Sequence, residues 1–387
     1  MKKRVAVIFG TRPELIKVAP VIWSLRSHPH FEVLPLSTGQ HRELLLPFLE
    51  VLEVEAAAHL DLLQEGQPLE SLLARGLLGL RDLFREMAPH LVLVQGDTVT
   101  TLAGALAAFY ARIPLGHIEA GLRSGSLEEP FPEEGQRRLV TPLAALQLAP
   151  TPGAAQALLR EGIPEDAIYV TGNTVVDAFL WMVERVRKTK EVPPWRKNLP
   201  PGARIVAVEM HRRENWGEPI RRVARALARV VARHPDVAAV VSLHPNPQVT
   251  AAFREELEGQ PRILLHPAFS YPEWVRLVDE SYLLLSDSGG LQEEAPSLGK
   301  PLLIARRRTE RPEAIAAGCA RLVGTDTEEV EGHLETLLRD EGAYQAMARA
   351  PNPFGDGRAA SRIVGALEHF FGLGPRPEPF GGGGAGG

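Results

Sequence analysis

Residues 283–294 read LLLSDSGGLQEE, an apolar run that leads into two glycines and a helix-compatible segment. This pattern predicts a buried strand, a tight turn and a helix start. A helix N-terminus carries unpaired N–H groups and the positive end of the dipole, and Gly289 and Gly290 let an anion approach the backbone. Glu293 or Glu294 could accept hydrogen bonds from sugar hydroxyls. The segment therefore predicts a nucleotide site, although an ordinary strand-to-helix connection with acids near the dipole also fits it.

Strands and helices alternate on both sides of this segment, which is typical of parallel sheets with helices on both faces. The predicted strands are Val5–Phe9, Glu32–Ser37, His90–Val94, Leu115–Ile118, Ile205–Val208, Val237–Ser242, Ile263–Leu265, Tyr282–Leu285 and Leu302–Ile304. A proline-rich, charged stretch at residues 188–202 separates two such series. We therefore predict an α/β protein of two Rossmann-like domains, residues 1–171 and 172–357, that face a central cleft. Helical sequence resumes at 358–371, and the glycine-rich tail, 373–387, is predicted to be disordered.

The bulk composition fits an ordinary globular protein with two domains. The chain has 387 residues, and 43 basic against 48 acidic side chains give a net charge of −5, which does not suggest a nucleic-acid surface. A single cysteine, Cys319, excludes an intrachain disulfide and suits a reducing compartment. The basic start is followed by an apolar run that stops at Gly10, too short for a signal peptide or a membrane span. We expect a cytoplasmic protein without membrane partners.

Unusual polar residues cluster at the predicted carboxyl ends of strands. These clusters are Gly10–Arg12, Gly96–Asp97, Glu119–Gly121, Glu209–Asn215 and Ser286–Gly290. Open α/β sheets bind ligands at this edge. The coincidence of all five clusters with strand ends therefore predicts a ligand site in the cleft.

Each polar residue also has a plainer interpretation. Asp97 could cap the next helix, and Glu133 with Arg137 could form an ordinary i,i+4 pair. The basic run 211–213 could be a solvated loop, and His244 could serve as a hydrogen-bonding loop residue. No spacing of His, Cys or Asp resembles a metal site, and the sequence has neither a Gly-x-Gly-x-x-Gly nor a Walker motif. NAD binding and ATP hydrolysis therefore have little support.

An ordered series of motifs resembles one known family. The motifs are GTRPELIKVAP (10–20), TGQHRELL (38–45), QGDTVTT (95–101), HIEAGLRS (117–124), PEEGQRRL (132–139), VTGNTVVDA (170–178), HRRENWGEP (211–219), SDSGGLQEEAPSLGKP (286–301), TERPEA (309–314) and NPFGDG (352–357). Across about residues 3–372 the chain resembles the bacterial non-hydrolysing UDP-N-acetylglucosamine 2-epimerases. The resemblance implies a GT-B fold with UDP between the domains, a last helix at about 358–372 that packs back on the first domain, and a homodimer. It also implies interconversion of UDP-GlcNAc and UDP-ManNAc without a metal or cofactor.

Site roles follow from the same resemblance. The catalytic residues it implies are Asp97, Glu119, Glu133 and His211. The substrate-binding residues it implies are Arg12, Lys17, Arg137, Ser288, Gly289, Gly290 and Glu294. A second, activating UDP-GlcNAc site is implied at Gln40, His41, Arg42, Glu43, Glu134, Arg212 and His244. Two departures from the family pattern, Gly135-Gln136 and the basic run 306–308, bear on the orientation of Arg137 and on the phosphate rim.

Inversion at C2 requires a proton to leave an unactivated carbon. Departure of UDP from C1 acidifies that proton, so elimination to 2-acetamidoglucal followed by re-addition is the expected route. Three carboxylates in one pocket would have separated pKa values, which lets acid and base roles coexist. The alternatives are a hydrolysing epimerase that releases UDP and ManNAc, a GT-B glycosyltransferase, and a non-catalytic UDP-sugar sensor.

Overall fold

A computed structural model describes residues 2–39, 42–62, 66–189 and 192–381, with only the backbone of residues 42–44. The chain divides into two compact units. Unit 1 runs to Ala178 and resumes at Phe354, and unit 2 is Phe179–Pro353. Within the described ranges, no helix combines the length and the apolar character needed to cross a membrane.

Unit 1 is built on a parallel sheet. Its strands are β1 Lys3–Phe9, β2 Phe31–Ser37, β3 Ala58–His59, β4 Leu91–Gln95, β5 Leu115–Ile118, β6 Leu146–Ala149 and β7 Ile168–Val170. Its helices are α1 Arg12–Arg26, α2 Arg42–Val51, α3 Leu69–Met87, α4 Val99–Tyr110, α5 Glu133–Val140 and α6 Pro152–Arg160, with the start of α7 Thr174–Lys188 and the returning helix α15 Ala359–Phe370. Among the described residues the strand order is β3-β2-β1-β4-β5-β6-β7.

The strand order places the site-forming loops side by side. The order reverses between β1 and β4, and ligands of open α/β sheets bind at such a switch point. Residues Val5 to Phe9 of β1 are fully buried, and each of the valine, isoleucine and phenylalanine side chains among them contributes about 1.5–3 kcal/mol by leaving water. Thr11 and Glu14 form a capping box at the start of α1, with Pro13 in its first turn, which fixes where this helix begins.

Unit 2 repeats this architecture. Its strands are β8 Arg204–Glu209, β9 Val237–Leu243, β10 Ile263–Pro267, β11 Leu283–Ser286, β12 Leu302–Ile304 and β13 Ala320–Leu322. Its helices, besides the remainder of α7, are α8 Glu218–Arg233, α9 Pro247–Leu257, α10 Tyr271–Glu280, α11 Gly289–Glu294, α12 Pro312–Ala316, α13 Thr327–Arg339 and α14 Glu341–Ala348. The described strands are parallel and follow the order β10-β9-β8-β11-β12-β13. The reversal lies between β8 and β11, so the loop after each of these strands reaches the same edge.

One apolar core holds the helices of unit 2 against its sheet. Val206, Val241 and Leu285 of the sheet join Ile220 of α8 and Leu334 of α13 in it. This core fixes the ends of β8 and β11, from which the polar loops emerge.

Four strands were not predicted from the sequence. They are β3, β6, β7 and β13, of two to four residues each. Segments this short give too few alternating positions for a period-2 pattern, and neighbouring strands stabilise them more than local propensity does.

The unit boundaries lie elsewhere than the sequence suggested, at Ala178 and Phe354. The predicted boundary between the two domains lies at residue 172. Asn173 instead donates its backbone N–H to the Phe354 carbonyl at 2.7 Å and its side-chain amide to Glu119 at 3.0 Å. These contacts hold the first turn of α7 within unit 1.

The tail predicted to be disordered from residue 373 has defined contacts as far as Phe380. Arg376 donates to the carbonyls of Asp166, at 2.9 Å, and of Ile168, and its guanidinium lies 4.2 Å from the Tyr169 ring centroid. The Phe380 N–H donates to the Val170 carbonyl at 2.8 Å. Composition indicated disorder, whereas these few residues bind the edge strand β7. Residues 382–387 lie outside the described ranges.

Candidate active site

Three loops of unit 1 meet at the carboxyl edge of its sheet. They follow β1, β4 and β5, which are neighbours in the sheet, and begin with Gly10, Gly96 and Glu119. The prediction that polar clusters follow strand ends is thereby confirmed for these loops.

Glu119 lies at the centre of this edge. Its side chain is 7% exposed, and Lys17 Nζ lies 2.5 Å from Oε1 and 2.7 Å from Oε2. Gln95 Nε2 donates to Oε2, and Asn173 Nδ2 donates to Oε1 at 3.0 Å. A cation and two amides therefore stabilise the ionised carboxylate. The residue also has a left-handed backbone, φ 66°, which costs a non-glycine residue about 1–2 kcal/mol.

Arg137 joins two further carboxylates. Its Nη2 contacts Asp97 Oδ2, and its Nη1 lies 3.1 Å from Glu134 Oε2. Asp97 keeps 26% of its side chain exposed, whereas the Glu134 side chain is fully buried. Arg137 therefore fixes Asp97 at the edge through a buried anchor on α5.

Glu134 has donors on both oxygens. Oε2 accepts the Ser124 N–H at 3.0 Å, and Oε1 accepts Arg138 Nε at 2.8 Å. Burial raises the pKa of Glu134, but the Ser124 hydrogen bond and the two arginines outweigh it, so the pKa lies below the usual value. Its predicted contact with an activator stays a prediction.

Glu133 and Arg12 complete the predicted set in unit 1. Glu133 is the first residue of α5 and half-buried, and its carboxylate has no hydrogen-bond or ion-pair partner among the described residues. Arg12 is exposed, and its guanidinium lies 5.3 Å from the Phe48 ring centroid. Both side chains remain available to a ligand.

Glu14, which was not predicted as a site residue, is buried and connects two of these loops. Its Oε2 accepts the N–H groups of Gly10 and Thr11 at 3.0 and 2.8 Å. Its Oε1 accepts the hydroxyl of Thr98 at 2.6 Å. Burial raises the pKa of Glu14, and these hydrogen bonds oppose the rise. The signal was visible as a capping-box glutamate, but its bond to the loop after β4 requires the fold.

In unit 2 the buried Asp287, which was predicted only as a member of the polar cluster Ser286–Gly290, organises the loop after β8. Its Oδ1 accepts the His211 N–H at 3.0 Å, and its Oδ2 accepts the Arg212 N–H at 3.1 Å. The Asn215 side chain donates to Oδ2 at 2.9 Å. Since β8 and β11 are neighbours, the residue after β11 reaches this loop directly. Asp287 thus fixes the backbone that carries His211.

Two arginines lie beside the glycine turn. A Cβ placed on Gly289 would lie 3.0 Å from Arg212 Nη2 and 3.7 Å from Arg311 Cζ, whereas one on Gly290 would meet nothing within 4 Å. Arg311 also donates to Glu293 Oε1 at 2.8 Å. Two cationic side chains thus lie beside the N-terminus of α11 with its free N–H groups, and this arrangement suits an anion.

The other predicted residues of unit 2 surround this turn. Ser288 precedes α11 and donates its N–H to Ser286 Oγ at 3.0 Å, and Glu294 ends the helix half-buried. His211 and His244 stack with ring centroids 6.0 Å apart. The structure therefore groups Arg212 and His244, predicted for activation, with His211, predicted for catalysis.

In the basic run 306–308, which follows β12, the first arginine is paired with two glutamates. Arg306 donates to Glu310 at 2.9 and 3.0 Å and contacts Glu214 at 3.1 Å. The Arg306 hydrogen bonds lower the pKa of Glu310 to about 2. Arg307 and Arg308 are exposed.

Four residues predicted for the activating site cannot be placed in full. Gln40 and His41 lie outside the described residues, and the side chains of Arg42 and Glu43 are not described. Within the described ranges, no group of three or more His, Cys, Asp or Glu side chains could hold a metal ion.

Comparisons with known proteins agree with this geometry. A family model described as UDP-N-acetylglucosamine 2-epimerase matches residues 24–368. The UDP-N-acetylglucosamine 2-epimerase of Salmonella typhimurium is 44% identical over 371 residues, which cover 95% of this chain and 99% of that protein. The crystal structure of UDP-GlcNAc 2-epimerase from Neisseria meningitidis bound to UDP-GlcNAc is 40% identical, with a TM-score of 0.85, and the match covers 95% of this chain and 100% of that one.

A more distant structure resembles the fold alone. A glycosyltransferase from Streptomyces nogalater matches with a TM-score of 0.58 at 18% identity, over 94% of this chain and 99% of that one. The predicted GT-B class, with two parallel-sheet α/β domains, is confirmed.

Proposed function

Because the chain belongs to the UDP-N-acetylglucosamine 2-epimerase family, we propose that it interconverts UDP-GlcNAc and UDP-ManNAc by inversion at C2. The observation that carries the proposal is the edge of unit 1, where Asp97 and Glu119 are each held by a cationic side chain. Ionised carboxylates at the ligand-binding edge are the groups that proton transfer at a sugar carbon requires.

The proposed reaction has two steps. In the first, a carboxylate takes the C2 proton, the C–H electrons form the C1–C2 double bond, and UDP leaves C1 with the C–O electron pair. In the second, a phosphate oxygen of UDP re-forms the bond to C1, and a proton is delivered to the opposite face of C2. The acetamide is attached to C2 through its nitrogen, so its carbonyl group cannot stabilise negative charge on C2 as an enolate. The departure of UDP from C1 therefore provides the activation of the C2 proton.

We assign the acid and base roles to Asp97, Glu119 and Glu133. The first two are stabilised as anions by Arg137 and Lys17, while Glu133 has no partner among the described side chains. Their environments differ in burial and in charge. Such differences in environment let one carboxyl group donate a proton while another accepts one.

We assign UDP binding chiefly to unit 2. Its glycine turn, Ser288 to Gly290, would hold phosphate, and Glu294 would accept hydrogen bonds from the ribose. His211, held by Asp287, would lie near the leaving phosphate. The two arginines beside Gly289 supply positive charge for a developing diphosphate. In unit 1, Arg12 and Lys17 are proposed to contact phosphate and Arg137 the sugar.

We also propose that a second molecule of UDP-GlcNAc activates the enzyme. The residues assigned to this role are Gln40, His41, Arg42, Glu43, Glu134, Arg212 and His244. Rates with UDP-ManNAc alone should rise when a trace of UDP-GlcNAc is added, and unchanged rates would refute the activation.

A homodimer and a cytoplasmic location are part of the proposal. Phe109 and Tyr110 at the end of α4 are 56% and 73% exposed, so unit 1 presents apolar surface that a second copy could cover. The sole cysteine, Cys319, is buried, and burial raises its pKa to about 11, which suits a protein without disulfides. Light scattering in solution would give the mass directly.

The central experiment is incubation with UDP-GlcNAc in D₂O, followed by NMR. We expect UDP-ManNAc to form and deuterium to enter C2 of both UDP-sugars. Free ManNAc with UDP as the end product would instead indicate a hydrolysing epimerase. Tight UDP binding without any turnover would indicate a sensor.

A further inference from the structure

His117 is a buried histidine one strand away from Asp97. It lies on β5, its side chain is inaccessible to solvent, and its Nε2 is 2.7 Å from the Gly96 carbonyl oxygen. The Gly96 carbonyl and the Asp97 N–H belong to the same peptide group. A contact that fixes this carbonyl therefore fixes the orientation of the peptide plane between Gly96 and Asp97.

The protonation of His117 follows from its surroundings. Burial lowers its pKa to about 4, so the imidazole is neutral at pH 7. The Gly96 carbonyl can only accept, so Nε2 carries the proton and donates it. Nδ1 is then an acceptor, and it is buried without a hydrogen-bond partner among the described residues.

A second contact from β5 holds the same peptide segment. The Gly96 N–H donates to the Ile118 carbonyl at 3.0 Å, and Gly96 has φ 74°, a left-handed conformation that glycine adopts without strain. Two adjacent residues of one strand thus bind the N–H and the carbonyl of Gly96. This leaves the backbone before Asp97 little freedom to rotate.

We propose that His117 is a positioning residue for Asp97, acting through its hydrogen bond to the Gly96 carbonyl. The inference rests on the proposed function, because it assumes that Asp97 exchanges a proton with the sugar. Residues that orient reacting groups in this way commonly affect rate far more than binding, and a shift of about 1 Å can cost about 100-fold. A plain core histidine would affect stability alone.

Two substitutions separate these possibilities. His117→Gln keeps a side-chain N–H that can reach the Gly96 carbonyl, whereas His117→Phe fills the space without a donor. We expect kcat of the Phe variant to fall about 100-fold with KM nearly unchanged, and the Gln variant to keep at least about a tenth of wild-type kcat. The matched control is His90→Phe, at the opposite edge of the sheet, where His90 Nδ1 accepts the Arg4 N–H at 3.0 Å. It should lose stability but keep its kcat.

Nitrogen-15 NMR of histidine-labelled protein tests the contact itself. We expect one histidine, missing in the Gln variant, to stay neutral with its proton on Nε2 at pH 6. An imidazolium at that pH, a proton on Nδ1, or a fully active and folded Phe variant would overturn the proposal. Equal kcat losses in the Phe and Gln variants would also overturn it. If wild-type protein fails to epimerise UDP-GlcNAc, the proposed function fails instead, and the NMR result still decides the contact.

Discussion

Lys17 and Glu119 form a buried ion pair in which one ammonium lies within 2.7 Å of both carboxylate oxygens. Their side chains are 15% and 7% exposed, so little solvent screens the pair. Lys17 was expected to hold phosphate, and any such role must coexist with this contact. The pair therefore couples a proposed catalytic carboxylate to a proposed substrate contact.

Removing one partner of this pair should be strongly destabilising. We expect Lys17→Met to lower the free energy of unfolding by about 3 kcal/mol, because Glu119 would remain buried without its cation. In a double-mutant cycle with Glu119→Gln, the double variant should lose less than the sum of the single losses. Urea denaturation of the whole protein measures both quantities. Additive effects would show that the two side chains do not interact energetically, and Arg81→Met, in an exposed pair, provides the control.

Asp97→Asn should remove turnover without removing UDP binding. The amide cannot accept the C2 proton, so we expect kcat to fall by roughly 10²- to 10⁴-fold. The affinity for UDP, measured by calorimetry, should stay within about threefold, since the lost interaction concerns the chemical step. Asp82→Asn, an exposed acid on α3, is the control and should behave as wild type. A fully active Asp97→Asn protein would contradict the assigned role.

Gly289→Ala should weaken UDP binding. The added methyl group would lie 3.0 Å from Arg212 Nη2, so the guanidinium must shift by a few tenths of an ångström from its place beside the glycine turn. We expect the Kd for UDP to rise about tenfold, equivalent to about 1.4 kcal/mol. Gly332→Ala on α13, where a Cβ would meet nothing within 4 Å, tests the effect of alanine in a helix and should leave Kd unchanged. Equal UDP affinity of both variants would argue against an anion site here.

His117 should make stability depend on pH. Its pKa is lowered to about 4 in the folded protein, so between pH 4 and 6.5 the unfolded chain binds more protons and stability falls as pH falls. From pH 7 to pH 5 the contribution should drop by about 2 kcal/mol. Urea denaturation should show this loss in wild type and not in His117→Gln. Asp97, Glu119 and Arg123 face the imidazole and are unchanged in both proteins. Parallel pH profiles would refute a neutral buried imidazole.

Arg376→Ala should destabilise unit 1 although the side chain is exposed. Its guanidinium donates to the backbone carbonyls of Asp166 and Ile168 and stacks on the Tyr169 ring. We expect a loss of about 1 kcal/mol in the free energy of unfolding. Arg160→Ala, at the exposed end of α6, removes the same charge without such contacts. A similar loss in both variants would mean that charge, rather than the tail contact, matters.

The sequence predicted what local patterns can encode. Apolar runs such as Val5–Phe9 identified the central strands, and the turn at Gly289 identified a helix start. The contacts of His117 and Asp287 escaped notice because each joins residues on strands that are neighbours only in the folded sheet. His117 reaches the loop after β4, and Asp287 reaches the loop after β8. Strand order is set by tertiary packing, so no local pattern could have assigned these partners.

The family resemblance and the position of residues in the predicted fold identified different parts of the site. Asp97 and Glu119 were predicted both because they follow strand ends and because they lie in family motifs. The catalytic role of Glu133 was predicted from the motif alone, because an acidic residue at the start of a helix is favoured by the helix dipole whatever its function. The tail was misjudged because composition reports average behaviour, whereas Arg376 and Phe380 bind particular carbonyls.

The C-terminal segment also bears on association between molecules. Among the strands that the structure describes, β7 is the outermost of its sheet, and its carbonyls at Ile168 and Val170 accept hydrogen bonds from Arg376 and from the Phe380 N–H. An edge strand whose backbone groups are unpaired can pair with a strand of another chain, which is a common origin of aggregates. Expression vectors that end the gene before residue 376, or that fuse a bulky tag there, should therefore yield protein that precipitates more readily on storage.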